Sequence, residues 1–279
     1  MAAALDEVLQ DGLHDLNDPE YFSLDAVNRS FLWEMRRSPA HAHHKAVNGD
    51  ADTPALLMGR ALHTAVLEPQ ELDGRFAVRP EGINRRTKIG KAEWAAFEEA
   101  NAHKSILPGA QDMATLKGVR DAIQAHPLAK RLCTGPGMTE KTALWTDDAT
   151  GVRCKAKYDR VVSGGGGSAI VVDLKSTDDA SPRGFGRSVY KFGYHFQAVH
   201  YLTGLDVVAG EMARRFVFVA VEKKPPHGIG IYELDFAYIE AARNEWGELL
   251  ARYAKCKERN SWPSYPADIQ ILEAPEWVK

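Results

Sequence analysis

Apolar residues recur at helical spacing through the first half of this 279-residue chain and again near its end. The clearest helix follows Thr53, a preferred N-cap residue, with Pro54 at the first helical position and Pro69 bounding the far end. Its core-facing stripe consists of Leu56, Leu57, Ala61, Leu62, Ala65 and Val66. The same periodicity predicts further helices at Asp25–Arg36, Ala92–Ala102, Ala110–Ala125 and Phe236–Glu258.

The region from Glu140 to Leu234 changes to a period of two, which is typical of β-strands, and carries an inserted helix. Strands are predicted at Thr142–Trp145, Val152–Val162, Ala169–Lys175, Phe216–Val221 and Ile229–Leu234. Helices followed by a sheet with an embedded helix predict an α/β or α+β domain. We assign residues 1–50, which are polar and broken, to an N-terminal helical or irregular extension, and residues 51–279 to the main domain.

A glycine-rich turn, Ser163–Ser168, joins the second and third of these strands into a predicted hairpin. With the loop centred on Gly166, Asp159 lies opposite Asp173, roughly 5 Å apart at Cβ. Charged residues on a hairpin usually mark a solvated face. The strand that carries Asp173 is otherwise apolar on both sides, however, which indicates a buried carboxylate that needs a partner or a metal ion.

The Asp-x-Lys spacing of Asp173 and Lys175, with Asp159 upstream, is typical of a metal-dependent nuclease site. Two carboxylates can hold Mg²⁺ or Mn²⁺, which prefer oxygen ligands. Lys175 projects from the same strand face as Asp173. There its ammonium group can stabilise charge on a phosphoryl centre or help to deprotonate a water molecule.

Composition sets a few further bounds. The chain is 44% hydrophobic and 26% charged with a net charge of −3, which is unlike a protein that coats nucleic acid with positive charge. Three scattered cysteines, Cys133, Cys154 and Cys256, predict buried thiols instead of a zinc site or a disulfide framework. No apolar run is long enough to span a bilayer and no secretion signal is evident, so we expect a cytoplasmic location.

Five segments resemble those of a known nuclease family. Gly59–Pro69, Val171–Thr177 and Gly193–Leu202 resemble the histidine-bearing helix, the core strand and the Gln-x-x-x-Tyr helix of RecB-like nucleases. Asp178–Phe185 and Trp262–Tyr265 resemble the RecE (exonuclease VIII) type of nuclease domain within the PD-(D/E)XK superfamily. The resemblance runs from about residue 20 to the C-terminus. It implies a restriction-endonuclease-like core with a central mixed β-sheet flanked by helices.

The resemblance implies a metal site assembled from a helix and the hairpin. His63, Asp159 and Asp173 are expected to be ligands, and the Leu174 carbonyl is expected to add an oxygen. Lys175 is expected to position or activate the attacking water. Without the resemblance, a histidine in such a helix would more often be a packing residue.

Three further residues extend the expected site. Gln197 and Tyr201 share one helix face. They are expected to orient Lys175 or the scissile phosphate, with packing among apolar neighbours as the alternative. Glu140 lies where the family often has an acidic residue before the core hairpin, and an exposed glutamate at a strand start is the equal alternative.

Basic residues supply the expected DNA contacts. The stretch Arg79–Lys91 holds five basic residues and one acid, and arginine forks suit phosphate geometry, although such loops are often simply solvated. A second basic set shares a strand face with Asp159 and could extend a positive track towards the metal. The residues assigned to DNA binding are Arg85, Arg86, Lys88, Lys91, Arg153, Lys155 and Lys157, with Arg60, Arg183 and Arg187 as candidates for a 5′-phosphate pocket.

The expected activity is hydrolysis of DNA phosphodiester bonds with one or two Mg²⁺ ions, with Mn²⁺ able to substitute and Ca²⁺ binding unproductively. The resemblance implies 5′→3′ degradation of one strand of linear double-stranded DNA, which leaves a 3′ single strand for recombination. It also implies a ring-like homo-oligomer, a trimer or tetramer, and a recombinase partner that anneals this strand. The alternatives are a related nuclease acting on single strands or flaps, and a non-catalytic subunit that binds DNA ends.

Overall fold

The computed structural model describes residues 9–49, 53–166, 168–210 and 214–274 of the chain. Its helices, numbered in chain order, are α1 (Asp18–Ser23), α2 (Arg29–Met35), α3 (Pro39–Asn48), α4 (Pro54–Leu67), α5 (Leu72–Arg75), α6 (Lys88–Ala100), α7 (Ala110–Ala125), α8 (Pro127–Thr134), α9 (Pro182–Phe192), α10 (Tyr194–Ala209) and α11 (Phe236–Arg259). Its strands are β1 (Gly12–His14), β2 (Val27–Asn28), β3 (Phe76–Val78), β4 (Ser105–Leu107), β5 (Gly137–Thr146), β6 (Arg153–Gly165), β7 (Ser168–Thr177), β8 (Arg214–Glu222) and β9 (Ile229–Tyr232). Across these ranges, every helix is too short or too polar to cross a membrane.

A mixed sheet of seven strands forms the centre of the described structure. The strand order is β1-β5-β6-β7-β8-β9, and β2 pairs with β6 in addition. The pairs β7–β8 and β2–β6 are parallel, whereas the other neighbours are antiparallel. β3 and β4 form a small parallel sheet of their own. The predicted α/β class with a central mixed sheet is therefore confirmed.

Helices cover both faces of this sheet. On one face, α2, α10 and α11 pack over a core that includes Tyr158 and Val171. On the other face, α4, α7 and α8 pack over a core that includes Val172 and Leu174. Neighbouring residues of β7 thus enter different cores, because successive strand side chains point to opposite faces. The strand is buried on both sides, as its apolar sequence predicts.

Most predicted elements of the main domain form close to their expected bounds, although α6 begins at Lys88 instead of Ala92 and β5 at Gly137 instead of Thr142. The Thr53 hydroxyl accepts a hydrogen bond from the Leu56 amide (3.2 Å) and caps α4, as predicted. The helix predicted at Ala110–Ala125 has those bounds. The periodicity does not predict β1, β2, β3, β4 or α8, because segments of two to eight residues are too short to display a period.

Within the segment assigned to an N-terminal extension, the described residues 9–49 contribute strands to the central sheet and helix α2 to its core. β1 lies antiparallel to β5, and β2 lies parallel to β6. Leu32 and Met35 of α2 are fully buried in the same core as the β6 side chain Tyr158. Residues on both sides of the predicted boundary at residue 50 therefore share one hydrophobic core.

Candidate metal centre

The site forms where the two strands of the hairpin separate. The β6–β7 register runs from Ser163 opposite Ala169 to Arg160 opposite Val172, which is the register predicted for a loop centred on Gly166. Asp159 and Asp173 come next in this register, at the point where regular pairing stops. The Asp159 carboxylate reaches across the opening and accepts a hydrogen bond from the Leu174 amide (2.8 Å).

Glu140 adds a third carboxylate on the neighbouring strand. The pairs Thr139–Arg160 and Lys141–Tyr158 bracket it, so Glu140 lies at the level of Asp159. Its φ of 51° is in the left-handed region, which is uncommon for residues other than glycine. Such conformations are strained and concentrate at functional sites. Three strands therefore bring Glu140, Asp159 and Asp173 into one row.

His63 reaches this row from α4. Its Nδ1 lies 3.5 Å from Asp159 Oδ2, and the ring hydrogen-bonds to the Leu174 backbone. One ligand atom each of His63, Glu140 and Asp159 lies within 4.8 Å of the others. Burial lowers the pKa of His63, with Lys175 adding to the effect. The neutral imidazole, which is the form that binds metals, is favoured.

The donor set fits a divalent cation. Burial, and then the Asp159 charge, raise the pKa of Glu140 to about 7. Burial, and then the Asp173 charge, raise the pKa of Asp159 to about 8. Each of these neighbouring carboxylates makes ionisation of the other less favourable. A cation between them offsets the repulsion, so that both can be ionised. Carboxylate oxygens with one imidazole nitrogen suit Mn²⁺ and Mg²⁺ among the common ions.

Asp173 is held from the other side of the sheet. It is 1% exposed, and its Oδ1 accepts a hydrogen bond from Gln197 Nε2 (2.5 Å) on α10. Its Oδ2 lies 2.8 Å from Lys175 Nζ, which in turn lies over the Tyr194 ring at 4.8 Å. Burial lowers the pKa of Lys175, but the Asp173 and Asp159 charges outweigh it, so the net shift is upward. Lys175 is therefore a half-buried, charged ammonium group beside the carboxylates.

The supporting residues differ in part from the expectation. Gln197 donates a hydrogen bond to Asp173, whereas the expected partner is Lys175 or the scissile phosphate. Tyr201 packs edge-on against Tyr158 (5.4 Å between ring centroids), and its backbone carbonyl accepts a hydrogen bond from the Tyr158 hydroxyl (3.0 Å). These contacts match the packing alternative for Tyr201.

Arg29 supports the site without belonging to any of its sequence motifs. Its guanidinium Nη2 donates to the Gly193 carbonyl (2.8 Å) and to the Phe192 carbonyl, at the turn between α9 and α10. Burial lowers its pKa, and the Tyr201 and Asp173 charges act against that shift. Arg29 thus fixes the start of the helix that carries Gln197. A lone arginine in a polar N-terminal segment carries no sequence signal for this role.

The basic face of β6 is covered by the N-terminal segment. Lys155 is 4% exposed, and its Nζ donates to the carbonyls of Tyr21 (2.8 Å) and Leu24 (2.9 Å). Arg153 is half-buried and donates to the Leu9 carbonyl. The expectation of an open positive track is wrong for Lys155, because this side chain anchors the chain that precedes β2.

Lys157 connects the N-terminal segment to the metal centre. Its Nζ lies 2.6 Å from Asp18 Oδ1 and 3.6 Å from Glu140 Oε2. The Glu140 side chain is 27% exposed, so the reading of Glu140 as an exposed strand-start residue does not fit this environment. Lys157 partly balances the carboxylate row and holds Glu140 beside Asp159.

The remaining basic candidates lie on the surface. Arg85 lies over the Trp94 ring at 4.3 Å, in the loop before α6. The other candidates are exposed on the same loop or on helices: Arg86, Lys88, Lys91, Arg60, Arg183 and Arg187. Their assignment to DNA contacts stays a prediction.

The comparisons with known proteins agree with this fold. Residues 29–275 match the model of a family described as a PDDEXK-like domain of unknown function (DUF3799). The crystal structure of a "Putative exonuclease" from Eubacterium rectale superposes with a TM-score of 0.63 at 16% identity, covering 94% of this chain and 96% of that one. The structure of SSO0001 gives a TM-score of 0.36 at 14% identity over 85% of this chain and 79% of that one, which is too low to support an argument. No curated protein matches the chain.

Proposed function

Since this chain belongs to the family of PDDEXK-like domains (DUF3799), we propose that it is a divalent-metal-dependent nuclease that hydrolyses phosphodiester bonds of DNA. One observation carries this proposal. His63, Glu140 and Asp159 bring ligand atoms within 4.8 Å of one another, and Lys175 lies 2.8 Å from the adjoining carboxylate of Asp173. A metal site beside a half-buried ammonium group suits attack on a phosphate.

Each residue has a separate task in the proposed reaction. His63, Glu140 and Asp159 would hold the metal, and Gln197 holds the Asp173 carboxylate, whose charge acts on both His63 and Asp159. A bound divalent cation would lower the pKa of a water molecule and neutralise charge on the phosphate. Lys175, charged and largely shielded from solvent, would donate to the oxygen on which negative charge develops.

The substrate, direction and assembly rest on the RecE resemblance. We propose Mg²⁺, replaceable by Mn²⁺, as the metal. We further propose linear double-stranded DNA as the substrate, degraded 5′→3′ to leave 3′ single strands. A ring-like trimer or tetramer and an annealing recombinase partner belong to the same proposal. The likeness to the Eubacterium rectale structure adds support at the level of the fold.

A cleavage assay tests activity and substrate together. Linear duplex with a 5′-phosphate, single-stranded DNA and closed circular duplex are incubated with Mg²⁺, Mn²⁺ or Ca²⁺, with each end labelled in turn. We expect Mg²⁺ or Mn²⁺ to support loss of label from the 5′ end of linear duplex. Asp173→Ala should abolish cleavage, and Asp148→Ala, in an exposed turn, is the matched control.

The other outcomes of the cleavage assay identify which alternative function is correct. Cutting of closed circles would exclude an exonuclease, and preference for single strands would identify a single-strand or flap nuclease. Binding of linear ends without cleavage under any metal would identify a non-catalytic subunit. Undiminished cleavage by Asp173→Ala would refute the site. The mass of the assembly in solution tests the ring.

A further inference from the structure

A cavity of about 480 Å³ lies in the segment between β3 and α7, and none of its lining residues belongs to the metal centre. Its size is within the usual range for pockets that bind small ligands. The residues that line it are Arg79, Pro80, Glu81, Gly82, Ile83, Arg85, Trp94, Pro108 and Gly109. β4, at the far side of this segment, packs against α4, the helix that carries His63.

The loop that shapes the cavity is held in place by its own hydrogen bonds. The Asn84 carbonyl accepts from the Thr87 amide (3.0 Å) and from the Thr87 hydroxyl (3.0 Å). The same hydroxyl accepts from the Gly90 amide (3.0 Å) and caps α6. A Cβ at Gly90 would lie 2.1 Å from the Asn84 carbonyl oxygen, so a larger residue there would displace the loop. The cavity is therefore preformed.

Its lining combines positive charge with an aromatic surface. The Arg85 guanidinium lies 4.3 Å from the centroid of the Trp94 ring. Arg79 is exposed, and among the described residues no ion pair joins Arg79 or Arg85 to a carboxylate. The Trp94 indole N–H is buried and, within the same ranges, has no acceptor. Glu81 is the acidic residue in the lining, so two arginines leave a net positive charge.

We propose that this cavity binds one unpaired nucleotide of a DNA strand. The base would stack on the Arg85–Trp94 pair, as unpaired bases stack on aromatic rings and guanidinium planes. Arg79 would contact the neighbouring phosphate. Glu81 would accept from an N–H group on the edge of the base, which in thymine is N3–H. An unpaired nucleotide is favoured over a base in duplex DNA, because neighbouring base pairs cover both faces of each base in the duplex. The choice of DNA rests on the proposed function.

The test measures binding without cleavage. Anisotropy of a fluorescein-labelled oligothymidylate is recorded with the full chain in EDTA, so a protein without nuclease activity still gives a result. Trp94→Ala should weaken binding about five- to one-hundred-fold, the range expected for loss of one stacking residue. Trp94→Phe should restore most of the affinity. Arg79→Ala should reduce the dependence of log K on log salt by about 0.7.

Controls separate a specific site from general basic attraction. Arg252→Ala, at an exposed position of α11, removes the same charge elsewhere and should leave binding unchanged. Competition uses blunt duplex and thymidine monophosphate. Equal affinity of Trp94→Ala and wild type, or equal competition by blunt duplex, would overturn the proposal. Displacement by the mononucleotide as effective as by the oligomer would also overturn it, in favour of a free nucleotide. Circular dichroism shows whether each variant is folded.

Discussion

Asp159→Asn should stabilise the metal-free protein. Burial, and then Asp173, raise the pKa of Asp159 from the ordinary 3.8 to about 8. The folded protein thus binds this proton more tightly than the unfolded chain does, so wild type loses stability as pH rises from about 3.8 towards about 8. An asparagine has no such proton to lose, and its amide oxygen can still accept from the Leu174 amide.

The size of the effect follows from the pKa difference. Each pKa unit corresponds to about 1.4 kcal/mol, so at pH 7 the 3.2 units above 3.8 amount to about 4 kcal/mol. This value is an upper limit, because Glu140 shares the site and can take part of the proton. We therefore expect Asp159→Asn to raise the free energy of unfolding by about 2–4 kcal/mol at pH 7 and by less at pH 5.

Urea unfolding in EDTA across this pH range measures the difference. Asp148→Asn removes an exposed carboxylate from a turn and serves as the matched control. Mg²⁺ or Mn²⁺ at a hundred times its Kd should then stabilise wild type by about 3 kcal/mol and leave Asp159→Asn nearly unchanged. If Asp159→Asn is no more stable than wild type at any pH, the carboxylate is not strained in the metal-free state and the reasoning fails.

Three further substitutions test single contacts. His63→Gln should weaken Mn²⁺ binding, measured by calorimetry, at least about tenfold. Even residues that only support a metal ligand have effects of this size. The control His103→Gln, which changes an exposed histidine, should leave Mn²⁺ binding unchanged. Gln197→Met should lower kcat about 10–100-fold by releasing Asp173, with DNA affinity in EDTA unchanged; an unchanged kcat would remove Gln197 from the site. Lys155→Met should lower the free energy of unfolding by about 1–3 kcal/mol, because the Tyr21 and Leu24 carbonyls lose their donor. The salt dependence of DNA binding should stay the same for Lys155→Met, and a change in slope near 0.9 would show a phosphate contact instead.

The hairpin could be predicted because each of its determinants is local. A glycine-rich turn sets the register, and a period of two sets the faces of β6 and β7. One carboxylate in an otherwise apolar strand then identifies Asp173 as the unusual residue. The helix that carries His63 can be predicted equally well, since Thr53, Pro54 and the apolar stripe are all within one segment.

The burial of the basic face of β6 could not be predicted from local sequence patterns. Alternation correctly separates Arg153, Lys155 and Lys157 from the apolar residues between them. It cannot show that β2 and the chain before it cover this face, because that pairing joins residues more than 120 positions apart. Lys155 therefore looks like a solvated cation in the sequence and is a buried donor in the structure.

Glu140 is the residue whose importance the sequence understates most. Its left-handed backbone interrupts the pairing of β5 with β6 at the level of Asp159, and no residue pattern announces such a φ for a glutamate. A strained conformation of this kind costs about 1–3 kcal/mol and persists only where the surroundings impose it. Here the surroundings are Lys157 on one side and the His63–Asp159 pair on the other. The break in the β5–β6 pairing at Glu140 is therefore both a feature of the fold and a part of the site. It places the Glu140 carboxylate beside His63 and Asp159, which completes the candidate ligand set.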